Sequence, residues 1–219
     1  MRSNNTPSIA RLPFLTLLII TLIASTSYAK NYDLVIVGDS ISSGYGVPYE
    51  FSWLPITLDA IPCSITHLNL SAQGATTQDG ITALEGFIKK HQARQIIIEL
   101  GGNDALRGLS IDGIKNRLSK LIEHAQSTQA QTYLVETDLP NNYGPKYKSA
   151  YRSIFKTLSE TYNTPVIYLP YPEQQQYIQN DGIHPTQQGH KLISEIMIPY
   201  IKALCSDSID LKYEIPQYK

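Results

Sequence analysis

The stretch DLVIVGDSISSGYG, residues 33–46, decides how the rest of the chain is read. An apolar, β-branched run ends at Gly38, Asp39 and Ser40, and the chain then turns polar and glycine-rich. The run at 33–37 is apolar almost throughout, as in a strand buried on both faces. Ser40 is thus either an ordinary turn residue or a hydroxyl presented at a strand end. Three residues cannot decide between these, and the remaining 216 of the 219 must.

Four further runs of the same kind follow: ITHLNL (65–70), QIIIEL (95–100), TYLVE (132–136) and PVIYL (165–169). Between them the apolar spacing is helical. Ile111, Ile114, Leu118, Leu121, Ile122 and Ala125 form one stripe. Leu192, Ile193, Ile196, Met197, Tyr200, Ile201 and Leu204 form another in the last helix, where Pro199 is expected to introduce a kink. Both stripes read as core packing. Strands alternating with helices mean βαβ units and parallel pairing. The expected fold is therefore α/β, a single three-layer, doubly wound sheet of about five parallel strands, flavodoxin-like in type.

A parallel sheet places everything just beyond its strand ends along one edge, where ligands bind. Gly38-Asp39-Ser40 follows the first strand, and NLSAQGATT (69–77), with Gly74, follows the second. ELGGNDALRG (99–108), with Asn103 and Asp104, follows the third, and NDGIHP (180–185), with Asp181 and His184, precedes the final helix. Each motif alone is an unremarkable polar loop. Together, in this order, they gather a hydroxyl, an imidazole and a carboxylate.

Ser40 is a weak nucleophile until a base takes its proton, and His184 can be that base. Asp181, three residues earlier, can accept from the other ring nitrogen and fix the tautomer. The backbone N–H groups of Ser40 and Gly74 and the amide of Asn103 are candidate donors to an oxyanion. Pro185 holds His184 extended and is expected to open the final helix. His67 falls within a strand, His91 and His124 fall late in helical patterns, and His190 falls on the final helix. None of these four is assigned chemistry.

The first 29 residues stand apart. Arg2 and Arg11 precede the uncharged run LPFLTLLIITLIA (12–24), and Ser27 and Ala29 are small residues placed for a cut before Lys30. That is the layout of a secretory signal peptide, too short to span a bilayer. Residues 30–205 are expected to form one domain, and 206–219 a C-terminal tail that is loosely held. The net charge of −1 becomes −3 once the two arginines leave, which argues against nucleic acid as a partner. Cys63 and Cys205 fall near the same end of the expected sheet, and an exported chain permits their pairing without requiring it.

At these residues the chain resembles the SGNH (GDSL-type) hydrolases, with Ser40, Gly74, Asn103 and His184 as the four block residues. Within that family it is most similar to the periplasmic thioesterase/lysophospholipase members of Gram-negative bacteria. VGDSISSGYG (37–46), IELGGNDALRG (98–108), VETDLPNNYGPKY (135–147) and DGIHP (181–185) carry the likeness, which spans nearly the whole exported part. The resemblance implies Ser40 as nucleophile, His184 as base, Asp181 as its orienter, and an oxyanion hole from Ser40, Gly74 and Asn103. It implies hydrolysis of acyl esters and thioesters without metal or organic cofactor. ALRGLS (105–110) matches a segment that lines the acyl groove and moves with substrate in those enzymes. Two departures stand out: Ile41 replaces the leucine of the first block, and Ala75 stands where the thioesterases carry an aspartate.

The expectation is therefore an exported, periplasmic serine hydrolase acting on small-molecule acyl esters or thioesters, lysophospholipids or fatty acyl esters foremost. It is expected to be a monomer with at most peripheral membrane contact. A short-chain aryl esterase or a carbohydrate O-deacetylase would use the same residues. A non-catalytic exported binding module would be expected to have lost Ser40 or His184, and neither is lost. A metal-dependent phosphoesterase would need an Asp-x-His pair on the first strand, which is absent. The dinucleotide fingerprint, the phosphate loop and the Gly-x-Ser-x-Gly elbow are absent too.

Overall fold

The structure, a computed structural model, describes residues 30–170, 172 and 174–206. Residues 1–29, the expected leader, and those beyond Ser206, in the expected tail, lie outside the described residues. In chain order the elements are β1 (Lys30–Gly38), α1 (Ser40–Ser43), α2 (Trp53–Ala60), β2 (His67–Asn69) and α3 (Thr77–Ile88). There follow β3 (His91–Glu99), α4 (Gly102–Leu106), α5 (Ile111–Ser127), β4 (Gln131–Thr137), α6 (Pro145–Tyr162), β5 (Val166–Leu169) and α7 (Gln187–Lys202). The five strands form one sheet in the order β2-β1-β3-β4-β5, and every pairing is parallel. The strand order reverses direction at β1, so the crevice between the ends of β1 and β3 is the topological switch point.

Alternation along each strand builds a core on both faces. Val35, Val37, Ile96, Ile98 and Leu134 point to one side, against Leu84 and Phe87 of α3, Leu118 and Leu121 of α5 and Phe155 of α6. Leu34, Ile36, Ile97 and Val135 point to the other, against Leu54 of α2 and Met197 and Ile201 of α7. The stripe of α5 is core, as expected: Ile114, Leu118, Leu121, Ile122 and Ala125 are all buried.

The stripe of α7 is core except at its first residue. Met197, Ile201 and Leu204 are buried, Ile193 and Ile196 are partly so, and Leu192 is exposed. The helix runs through Pro199 to Lys202. It opens at Gln187 behind a Thr186 N-cap, whose hydroxyl accepts from Gly189 N at 3.2 Å. Pro185, expected at the helix start, instead bridges to Ile178. His91 also departs from expectation, since it begins β3 in register with Lys30.

Asp104 serves the fold. It is fully buried, accepts from Thr77 N (2.8 Å), Thr77 Oγ1 (2.6 Å) and Arg117 Nη2 (3.0 Å), and so ties α3, α4 and α5 together at the sheet edge.

Cys63, just after α2, is disulfide-bonded to Cys205 at the end of the α7 segment, with Cα atoms 5.6 Å apart. The bond closes a loop of 142 residues, for which the chain-entropy account gives up to ~5 kcal/mol of stabilisation. The double variant Cys63→Ser/Cys205→Ser is expected to unfold at a clearly lower urea midpoint than the oxidised protein. Reductant should lower the midpoint of the parent and leave that of the variant unmoved.

Candidate active site

The first strand ends in a device that presents Ser40. Asp39 caps the single turn of α1, its Oδ1 accepting from Ile41 N at 3.0 Å. Gly44, at φ +75°, closes the turn in the left-handed conformation that glycine adopts without strain. Gly38 permits close approach: a Cβ there would stand 2.8 Å from Ser71 Oγ and 2.9 Å from Glu99 Oε2. Strand and turn thus hold Ser40 at the crevice, 7% exposed.

His184 reaches Ser40 from the segment before α7. Its Nε2 lies 2.9 Å from Ser40 Oγ, and its Nδ1 lies 2.6 Å from Asp181 Oδ2. The other oxygen of Asp181 accepts from Ile183 N (2.9 Å) and His184 N (3.0 Å), so one carboxylate fixes both the backbone and the ring of the histidine. Burial raises the Asp181 pKa, but the hydrogen bonds and charge of the His184 side outweigh it and leave the pKa lowered. Gln179 locks this segment to the serine turn, donating to Tyr45 O (3.0 Å) and Pro185 O (2.8 Å). The Tyr45 ring covers His184 with centroids 4.4 Å apart.

Asn103 enters the cleft from α4. Its Nδ2 donates one hydrogen to Asp39 Oδ2 at 3.0 Å, which leaves the second N–H of the amide. Gly74 adopts φ +70°, and its carbonyl accepts from Arg107 Nη2 at 2.8 Å, which fixes the peptide orientation after β2. Ser40, Asn103 and His184 share one cleft with Leu106, Leu139 and Ile183. Arg107, the residue that caps the end of α4, ties Gly74 to the helix that carries Asn103.

Two residues behind the site carry more than sequence reasoning assigned them. Glu99 ends β3 fully buried, and its Oε2 accepts from Asp39 N (3.3 Å) and Ser42 Oγ (2.8 Å). Burial drives the Asp39 pKa up to about 6, and burial plus the Asp39 charge holds Glu99 well above the ordinary carboxylate range. The signal was present in the sequence as a single acidic residue ending the apolar run QIIIEL.

A carboxyl group whose pKa is raised on folding binds its proton more tightly folded than unfolded. Its contribution to stability is fully present below the unfolded pKa of ~3.9 and is lost as pH rises through the folded value. For Asp39 that window runs from roughly 4 to about 6. Glu99→Gln removes the neighbouring titration and should make the unfolding free energy fall less steeply over this interval. Urea unfolding at closely spaced pH values reads it, and superimposable slopes would count against the coupling.

The family model for GDSL-like lipases and acylhydrolases matches residues 36–192, which contain every residue of this site. The chain belongs to the GDSL-like lipase/acylhydrolase family. It is 31% identical over 196 residues to thioesterase 1/protease 1/lysophospholipase L1 of Escherichia coli (strain K12), covering 88% of this chain and 92% of that protein. It is 30% identical to an arylesterase of Vibrio mimicus, covering 84% of this chain and 94% of that protein. Among solved structures, psychrotrophic esterase EstA from Pseudoalteromonas sp., inhibited by monoethylphosphonate, superimposes with a TM-score of 0.72 at 29% identity. That match covers 79% of this chain and 98% of EstA. This GDSL family member is accordingly a hydrolase of ester or thioester bonds, and its substrate is a small-molecule ester.

Proposed function

We propose that this family member is an exported serine hydrolase that cleaves fatty acyl esters or thioesters, lysophospholipids included, through an acyl-enzyme on Ser40. The observation that carries the reading is the continuous chain from Ser40 Oγ through His184 to Asp181, with links of 2.9 and 2.6 Å. Ser40 Oγ attacks the acyl carbon while His184 Nε2 takes the hydroxyl proton, and the carbonyl π electrons move onto the oxygen. Collapse re-forms the carbonyl and expels the alcohol or thiol, which leaves with the proton from His184. Water then attacks the acyl-enzyme, with His184 again as base, and releases the acid and free Ser40.

The tetrahedral oxyanion receives hydrogen bonds from the N–H groups of Ser40 and Gly74 and from Asn103 Nδ2. Asp39 is a positioning residue, because its carboxylate grips one hydrogen of Asn103 and aims the other. Asn103→Ala is expected to lower kcat by ~10²–10³-fold with little change in KM.

Export is supported by the leader-like pattern at 1–29 and by the Cys63–Cys205 bond, which an oxidising compartment favours. N-terminal sequencing of the chain recovered from a cell envelope fraction is expected to start at Lys30, whereas an intact Met1 start would refute cleavage. The exported chain is expected to work as a monomer in the periplasm.

The testing experiment is hydrolysis of a chain-length series of p-nitrophenyl esters, alongside Ser40→Ala. A long-acyl optimum with loss of turnover in the variant is expected. An acetyl optimum would favour the second reading, a short-chain aryl esterase, to which the Vibrio mimicus arylesterase points. Equal turnover by the variant would refute the serine mechanism.

A further inference from the structure

The turn after β2 carries Gly74, and little of the protein covers it. Ala72 and Gln73 are exposed. Ala75 N donates to Ala72 O at 3.1 Å, and with Gly74 at φ +70° this closes a four-residue turn. The turn is tied to the sheet at its start, where Ala72 N donates to Gly38 O at 3.2 Å. Beyond its end, Thr77 ties it to Asp104 of α4. Between those anchors, Arg107 is the hydrogen-bond partner of Gly74 among the described residues, its Nη2 donating to Gly74 O at 2.8 Å. The same nitrogen is the one atom, chain neighbours aside, within 4 Å of where a Cβ on Gly74 would stand.

Arg107 also reaches Asn103. Its own N–H donates to Asn103 O at 3.1 Å, where it caps α4. One residue thus holds Gly74 through its guanidinium and Asn103 through its backbone. Its charge adds to the Thr76 hydrogen bonds that lower the Asp79 pKa, so the guanidinium also faces the first turn of α3. Donors act on an oxyanion only at ~2.7–3.1 Å, so their spacing must be set before the reaction. Gly74 and Asn103 follow different strands, and their own loops do not set it. The carbonyl and N–H of Gly74 share one Cα, and in a closed turn a held carbonyl aims the N–H.

We propose that Arg107 is a positioning residue for the hydrolysis: it spaces Gly74 N–H from Asn103 Nδ2 for the tetrahedral oxyanion. The assignment rests on the acyl-enzyme reading above, in which both groups are donors.

Arg107 is exposed, so its replacement leaves the core intact. p-Nitrophenyl acetate is the substrate for the test, because it has no alkyl chain to touch 105–110. Acylation and deacylation both pass through the oxyanion, so either as the slow step reports on it. Arg107→Ala is expected to lower kcat by about tenfold, less than the ~10²–10³ of an absent donor, because Gly74 N–H is misaimed and still present. KM and the urea midpoint should stay at the parent values. Arg107→Lys, whose ammonium can donate to Gly74 O, should recover part of the lost turnover.

A second readout isolates the oxyanion. Methylboronic acid gains the Ser40 oxygen on boron while His184 takes the hydroxyl proton, and one B–OH of the tetrahedral anion fills the oxyanion's place. Its inhibition constant should rise in Arg107→Ala by the factor by which kcat/KM falls. Parent turnover in Arg107→Ala overturns the assignment, as does Arg107→Lys no faster than Arg107→Ala. A loss of turnover with the inhibition constant unchanged also overturns it, placing Arg107 in the fold or in substrate binding. Failure of the hydrolase reading itself looks different: Ser40→Ala would keep its turnover, and methylboronic acid would not inhibit the parent.

Discussion

Ser40→Ala is expected to lower kcat on p-nitrophenyl esters by roughly 10⁵-fold or more, and His184→Ala to lower it about as far. The reason is the 2.9 Å contact between His184 Nε2 and Ser40 Oγ. Without the ring, Ser40 Oγ has no other hydrogen-bond partner among the described residues to take its proton, and without the hydroxyl the ring has nothing to activate. The two residues act as one unit, so the double variant should be no slower than either single one. KM should hardly move, because the walls that contact the substrate are untouched. Pre-steady-state measurements sharpen the test: the parent should show a burst of p-nitrophenol and both variants none. Effects that multiply in the double variant would mean that the residues contribute separately, against a shared proton-transfer step.

How far this unit could be read from the sequence follows from where its signals lie. Val35 to Val37 and Ile96 to Ile98 announce strands because helices cover both faces of them, and burial demands apolar residues. The strand ends then place Ser40 and Asn103 together, and the resemblance supplied the same pairing. The parts not legible lack such a demand. Lys30–Tyr32 pairs with 91–93 at the strand starts, where none of the six residues is fully buried, so polar residues suffice and His91 carries no strand signature. Asp104 stands beside Asn103 in the same motif, yet only the placement of Thr77 and Arg117 shows that it braces helices. Gln179 is one glutamine among many until its two bonds to Tyr45 O and Pro185 O show it joining the histidine segment to the serine turn. Of the α7 stripe only Leu192 stands outside the core packing, because apolar spacing marks a helix face and does not tell where along it the covering layer stops.

Asp181→Asn is expected to lower kcat by about 10⁴-fold while leaving stability and KM nearly intact. The asparagine oxygen can keep the place of Oδ1 and accept from Ile183 N and His184 N, so the backbone turn survives. Its NH₂ then faces His184 Nδ1 where Oδ2 stood at 2.6 Å. A ring nitrogen facing a donor must accept, which moves the imidazole proton to Nε2 and points it at Ser40. In that tautomer Nε2 cannot take the serine proton, and the loss is one of proton position, with every heavy atom in place. Asp181→Ala makes the contrast. It loses the turn as well as the orientation but does not force the wrong tautomer, so it should be the less stable protein and the less impaired per folded molecule. Nitrogen NMR of the His184 ring separates the cases directly: Nδ1–H in the parent and Nε2–H in Asp181→Asn at a pH where the ring is neutral. An Asp181→Asn protein that keeps the Nδ1–H tautomer, or retains most of its turnover, would remove Asp181 from the role of orienter.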